Sequence, residues 1–256
     1  MSQPRPVLDP GFDLATERLT RTTLHRVYWS GQNPLAASIG RKNRYDCPPR
    51  LAAAKQFGVL YLAYDLPTCW METIVRTNMV RAAGTDIQIP LASMTHRWAC
   101  EVTATGSLVL AQFADEPLID LGDCASNIMG DSYLRTKRWS QLLHAHKNPA
   151  VDGIRYRSRF NSGQFCIALF DRAVAPRGLA VVNPRSIDPD VARSAVRHAQ
   201  VQGRAYLIDA IRAADTHLWE GAPPISGRGN GQRLCTRRAV AWCHAGSHYA
   251  RLRSDQ

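Results

Sequence analysis

Phe57-Gly58-Val59-Leu60-Tyr61-Leu62-Ala63-Tyr64-Asp65-Leu66-Pro67-Thr68-Cys69-Trp70-Met71-Glu72-Thr73-Ile74-Val75-Arg76 joins two kinds of local structure without a linker. Its first half, Phe57 to Tyr64, is an unbroken apolar and aromatic run of strand length with Gly58 at its mouth and Asp65 and Pro67 at its end. It reads as a buried strand. Asp65 is a good N-cap and Pro67 suits a first helical turn, where a missing N–H costs nothing, so a helix follows at once. Trp70, Met71, Ile74 and Val75 make its inward stripe. Glu72 rides beside them, about two turns in, close to the strand end, where a carboxylate would overlook a cleft at a sheet edge. The plain alternative is a solvated i,i+4 pair of Glu72 with Arg76, worth roughly a few tenths of a kcal/mol.

The chain around this stretch has 256 residues, enough for one sizeable core with an appendage, and its 45% apolar content is that of an ordinary globular protein. No apolar run approaches the length of a membrane span, and the polar start Met-Ser-Gln-Pro-Arg-Pro lacks the core of a signal peptide, so the expectation is a cytoplasmic protein. Seven scattered cysteines, mostly inside apolar runs, suit reduced thiols packed as small hydrophobes. The net charge of +11 is uneven: residues 1–220 hold 26 Lys and Arg against 20 Asp and Glu, and residues 221–256 hold 6 against 1. That basic tail lacks the interleaved aromatics of a base-stacking surface and reads as a solvated, weakly ordered end.

In chain order, residues 1–20 are a polar lead-in with a short helix after Asp13. Thr22 to Ser30 follows as a strand with Arg26 and Tyr28 on one face, a pairing that suits a ligand carrying phosphate and a ring. Residues 31–50 are loop-like, with Arg41, Lys42 and Arg44 close to Gly40. Trp98–Thr105 and Leu108–Phe113 read as strands of a hairpin turning at Gly106-Ser107, and Leu118–Leu121 as another short strand. Ser132–His146 has helical spacing around Leu134, Trp139, Leu142 and Leu143. His144 and His146 are two residues apart, so their rings diverge and no metal site is expected. In the run from Ile154 to Arg159, Ile154, Tyr156 and Ser158 share one face, which brings a small hydroxyl inward at a strand end. Phe165–Phe170 is a strongly apolar strand. Helical patterning runs from Asp188 toward Gly203 and again from about Tyr206 to Trp219. Cys235, Cys243, His244 and His248 have zinc-ligand types without zinc spacing. Walker, dinucleotide-glycine, HExxH and nucleophile-elbow motifs are missing from the sequence.

Arg26-Val27-Tyr28, Asn43-Arg44-Tyr45-Asp46, Gly58-Val59-Leu60-Tyr61-Leu62-Ala63, Asp152-Gly153-Ile154-Arg155-Tyr156-Arg157-Ser158-Arg159 and Ala168-Leu169-Phe170-Asp171-Arg172 occur in that order. With Glu72 between them, they make the chain from about Leu24 to Arg172 resemble the RES-domain family, the toxin half of bacterial RES/Xre toxin–antitoxin pairs. The resemblance implies an α+β fold with an ADP-ribosyltransferase-like mixed sheet core and flanking helices, to which patterning and composition add a C-terminal helical or irregular extension. It covers a catalytic domain set at 1–180 and gives no account of the helical extension over 181–220 or the basic tail over 221–256. It implies NAD as a substrate, with no further cofactor and no metal, and an Xre-like antitoxin partner with a helix-turn-helix domain. DNA contact would come only through that antitoxin, and no membrane is involved.

The chemistry fits the side chains. Cleavage between nicotinamide and ribose leaves an oxocarbenium-like sugar, which an anion beneath the ribose stabilises. Glu72 is the expected catalytic anion, Tyr61 and Tyr28 stack on or hydrogen-bond around the nicotinamide ribose, and Arg26 and Arg44 match the pyrophosphate as forked cations. Ser158 is expected as a positioning hydroxyl and not a nucleophile, because no base is placed to activate it. Trp70 stands two positions before Glu72, where arginine-modifying transferases of this broad fold carry an acid or amide. That disfavours arginine modification and leaves hydrolysis, phosphorolysis or transfer to another acceptor. Two readings of other classes stand beside this one. The first is a basic nucleic-acid-binding protein using the arginines of 155–159 and 228–253. The second is a catalytically silent interaction protein in which Glu72 pairs with Arg76.

Overall fold

In a computed structural model, the chain forms an eight-stranded mixed sheet with most of its short helices on one face, an α+β architecture. The structure describes residues 4–40, 42–76, 88–90, 96–130, 132–174, 177–186 and 249–251. The helices expected between Asp188 and Trp219, and nearly all of the basic tail, lie outside them. The sheet strands are β1 (Thr16–Leu19), β2 (Thr23–Trp29), β3 (Val59–Ala63), β5 (Arg97–Ala104), β6 (Leu108–Phe113), β7 (Gly153–Arg157), β8 (Phe165–Phe170) and β9 (Leu179–Ser186). Between β3 and β5 comes β4 (Gln88–Pro90), which pairs antiparallel with β10 (Tyr249–Arg251) away from the main sheet.

The sheet order is β1-β6-β7-β8-β3-β2-β5-β9, with β6 and β7 parallel and the other neighbours antiparallel. The chain bends at Thr105-Gly106, but the strands it joins do not form a hairpin: β5 pairs with β2 and β9, and β6 with β1 and β7. In a flat sheet of this order the two strands would stand about 24 Å apart. The link from Ala104 to Leu108 reaches at most about 14 Å. The sheet must therefore curl, and one apolar cluster fills the curl: Leu24, Tyr28, Leu60, Leu62, Val102, Leu108, Leu110, Ile167 and Leu169 are all buried there. Gly153 sits where strands press closest, since a Cβ would stand 2.6 Å from the Ala168 carbonyl oxygen.

The other face carries most of the helices and the larger cluster, with Tyr45, Phe57, Trp70, Ile74, Phe113, Trp139, Ile154 and Phe170 at its centre. Its short helices are α1 (Leu66–Trp70), α2 (Asp115–Asp120) and α3 (Ala125–Met129), and the longest is α4 (Leu134–Ala145), while α5 (Asp171–Val174) buries Ala173 in the cluster inside the curl. Two short elements differ from expectation. Residues 16–19 pair along β6 as an edge strand instead of forming a helix after Asp13. Leu118 lies in a helix and not a strand, because Asp115, Glu116 and Pro117 favour a first helical turn. Cys47, Cys69, Cys100 and Cys166 are buried free thiols, as their apolar settings suggest, while Cys124 is exposed.

Candidate active site

The strand-to-helix junction forms as its residues dictate. Asp65 Oδ1 accepts from the Thr68 N–H (2.7 Å) and Asp65 Oδ2 from Thr68 Oγ1 (2.9 Å), while Pro67 occupies the first turn. After Trp70 the helix widens into a π turn over Met71–Val75, in which the Arg76 N–H reaches back to Met71 O. Such turns recur at functional sites because they redirect a side chain. Glu72 is on it, half-buried.

Glu72 Oε1 accepts from Ser158 Oγ (2.7 Å) and from the Arg159 N–H (2.9 Å). Ser158 is fully buried just past the end of β7, in line with Ile154 and Tyr156, so the alternation read from sequence delivers the hydroxyl where expected. Its own oxygen accepts from the N–H groups of Asn161 (3.1 Å) and Phe160 (3.3 Å). Asn161 Nδ2 in turn donates to Thr68 Oγ1 (2.9 Å). A chain of hydrogen bonds thus runs from the Asp65 cap through Thr68, Asn161 and Ser158 to the Glu72 carboxylate. Arg76 turns away from Glu72 and donates to Asn43 Oδ1 (2.9 Å) and Lys42 O (3.2 Å).

The cleft in front of Glu72 exists because the sheet parts. β2 pairs with β5 along its whole length and β3 likewise with β8, yet β2 and β3 meet only at His25–Ala63. Loop residue Ser38 takes the vacated place beside Val59, with hydrogen bonds of 3.0 and 3.2 Å. The resulting cleft of about 490 Å³ is lined by both strands, by Glu72 and Arg76, by Lys42 and Asn43 and by Arg97. A larger hollow of about 690 Å³, around Arg5, Asn127 and Arg138, contains none of the expected site residues.

The remaining expected site residues are placed as follows. Arg26 lines the cleft, but its guanidinium is tied to the carbonyls of Pro34 and Ala36, and burial lowers its pKa. It holds the loop that fills the strand gap. Tyr28 is buried in the cluster inside the curl, on the sheet face opposite Glu72, and does not join the site. Burial raises its phenol well above the ordinary value.

Tyr61 lines the cleft with its ring, while its hydroxyl donates to Asp46 Oδ1 (2.9 Å) and accepts from the Tyr45 N–H (3.0 Å). Burial and then Asp46 push that phenol far up. Arg44 is buried behind Glu72, 5.5 Å from the Tyr156 ring centroid, with Nη1 toward Arg157 O (3.4 Å). Burial opposes its charge, but Tyr45, Tyr156 and Glu72 outweigh this and raise its pKa. Thr136 and Ser140 on α4 hold this segment in place through the Arg44 and Tyr45 carbonyls, at 2.6 and 2.7 Å.

Three residues that the sequence reading passed over complete the frame. Asn161 and Thr68 carry the bonds that orient Ser158, and Asp46 anchors both Tyr61 and the Asn43 N–H (2.7 Å). Asn161 follows Ser158 by three positions, the spacing of a hydroxyl-centred turn, which was the available signal.

A family model described as the RES domain matches residues 18–194. Among solved structures, the chain is similar to the toxin–antitoxin complex MbcT–MbcA of M. tuberculosis: 17% identity, TM-score 0.48, covering 68% of this chain and 88% of that one. No curated protein matches it. Among the described residues no helix is long and apolar enough to cross a membrane.

Proposed function

The chain belongs to the RES domain family, and on that premise we propose that it is the toxin half of a toxin–antitoxin pair and breaks NAD between nicotinamide and ribose. One observation carries this reading. The Glu72 carboxylate stands in a cleft lined by cations, with one oxygen held by Ser158 and Arg159. Both hydrogen bonds that the described residues give it fall on Oε1, which leaves Oε2 to take a ribose hydroxyl or to lie beneath the sugar.

In the reaction the bond from ribose C1 to the pyridinium nitrogen breaks and its electron pair leaves with nicotinamide, which departs neutral. The positive charge passes to the sugar, where the fixed anion of Glu72 stabilises it. Water then adds and releases a proton, giving ADP-ribose, or inorganic phosphate adds, giving the sugar phosphate. A third route passes the ADP-ribose to a protein or small-molecule acceptor. Ser158 positions Glu72 and is itself out of reach of substrate. Arg44 lends a buried positive charge behind the carboxylate, and Lys42, Arg76 and Arg97 suit the pyrophosphate.

Trp70 is buried in the core, so the position two before Glu72 offers no acid to activate an arginine acceptor. Two of the arginines that a nucleic-acid reading would use are engaged in ion pairs: Arg155 with Glu17 (2.9 Å) and Arg157 with Asp115 (2.8 Å). The partner we expect is a helix-turn-helix antitoxin, with DNA bound through it alone. Product analysis after incubation with NAD, with and without phosphate, tests the chemistry. Nicotinamide must appear, and a sugar phosphate formed only with phosphate marks phosphorolysis. A purified, folded, antitoxin-free chain that leaves NAD intact in both conditions would overturn the proposal.

A further inference from the structure

Trp29 and Arg97 lie directly across from one another on β2 and β5. Trp29 is in register with Val27, whose side chain packs in the helix-covered cluster, so the pair stands on the same sheet face as Glu72. The Arg97 guanidinium carbon sits 3.5 Å from the Trp29 ring centroid. Arg97 is only 6% exposed, and its Nε–H has no hydrogen-bond partner among the described residues, whereas Trp29 is 41% exposed. A buried guanidinium with no acid paired to it among the described residues, stacked on an exposed indole and lining a cleft, is costly to keep unless something else accepts its hydrogen bonds.

Where the pair stands indicates what that is. The Glu72 helix touches β2 at His25, whose carbonyl accepts from Cys69 Sγ (2.9 Å). Four residues of strand, roughly 14 Å, separate His25 from Trp29. A dinucleotide whose nicotinamide ribose lies at Glu72 must carry its other half away from that point, and that half is a phosphate followed by a flat base. We infer that Arg97 binds the adenylate-side phosphate of the pyrophosphate and that Trp29 carries the adenine by stacking, which makes them the residues that select a dinucleotide over a mononucleotide. This inference rests on NAD being the substrate. The chemistry of the pair is complementary to the ligand: a forked cation for the phosphate and a sequence-tolerant π face for the base.

The test measures kcat and KM for NAD and for nicotinamide mononucleotide, which lacks the adenylate half, in the unaltered chain and in Trp29→Ala and Arg97→Gln. KM for NAD should rise about tenfold or more in each variant with kcat within about twofold, the scale of a lost stack or charge-assisted hydrogen bond. Turnover of the mononucleotide should stay unchanged in Trp29→Ala. Unchanged KM for NAD in the folded variants, or an equal loss on both substrates, overturns the inference. Arg97 is buried and its variant can fail to fold; the exposed Trp29→Ala then carries the test alone. Calorimetric titration with ADP separates this inference from the proposed reaction. If NAD is not cleaved but ADP binds and Trp29→Ala weakens it about tenfold, the pair's role stands and the reaction is wrong. If ADP does not bind the unaltered chain, the inference fails.

Discussion

Removing the Ser158 hydroxyl is the sharpest probe of how the fold holds Glu72. Ser158 is fully buried and donates to Glu72 Oε1 at 2.7 Å while accepting from the Asn161 and Phe160 N–H groups. A hydrogen bond to a charged group contributes about 1.5–3 kcal/mol. If that contribution serves to orient the anion in the transition state, Ser158→Ala lowers kcat roughly 10- to 150-fold, with KM little changed because Ser158 does not reach substrate. Two part-buried N–H groups also lose their acceptor, costing about 1–3 kcal/mol of stability. For a domain of this size that lowers Tm by roughly 2–10 °C. The assay pairs initial rates of nicotinamide release with thermal melts of Ser158→Ala, Glu72→Ala and the double variant. The stability cost of losing Ser158 should shrink by about 1 kcal/mol or more once Glu72 is gone. A folded Ser158→Ala with full kcat, or costs that add within about 0.5 kcal/mol, refutes the reasoning.

Other outcomes follow from single features. Tyr61→Phe should cost about 1–3 kcal/mol in urea unfolding, because the Tyr45 N–H and Asp46 lose their partner, yet leave kcat per folded molecule near normal; a large fall in kcat would mean the hydroxyl turns toward substrate. Burial against Phe57 lowers the His144 pKa from 6.5 to about 4. A pKa depressed on folding means the unfolded chain binds more protons between those values, so stability is complete above pH 6.5 and declines as pH falls toward 4. His144→Phe should flatten that part of the pH–stability curve, and an unchanged slope would show the imidazole contributes nothing. Gly153→Ala should destabilise by about 1–3 kcal/mol in the same unfolding assay, since its Cβ would meet backbone on β8; a neutral result would mean the strands can part there.

What could be read from the sequence was local. Asp65 and Pro67 announce the helix after β3, and the alternation Ile154, Tyr156, Ser158 delivers a hydroxyl to the buried face, because capping and strand period act over a few residues. Pairing partners and sheet curl do not. The chain bends beside the expected Gly106-Ser107 turn, but a bend does not say which strands bond. The placement of Arg26 and Tyr28 shows the same limit. Strand period puts them on one face, yet the long arginine bends into the gap where β2 leaves β3, while the tyrosine stays in the curl. Arg44 reads as a loop cation and is instead buried, because α4 clamps its segment through Thr136 and Ser140. The Trp29–Arg97 pair depends on the register of two distant strands, which no local pattern reveals.

The central claim is that Glu72 drives cleavage of NAD. Its most direct test compares NAD consumption by the purified chain and by Glu72→Gln, which keeps the side chain's size and can still accept from Ser158, with thermal melts run in parallel. Expected is loss of NAD with the unaltered chain, a fall of about a hundredfold or more with the variant, equivalent to roughly 2.7 kcal/mol of lost transition-state stabilisation, and a nearly unchanged Tm. NAD consumed equally by both proteins would contradict the claim.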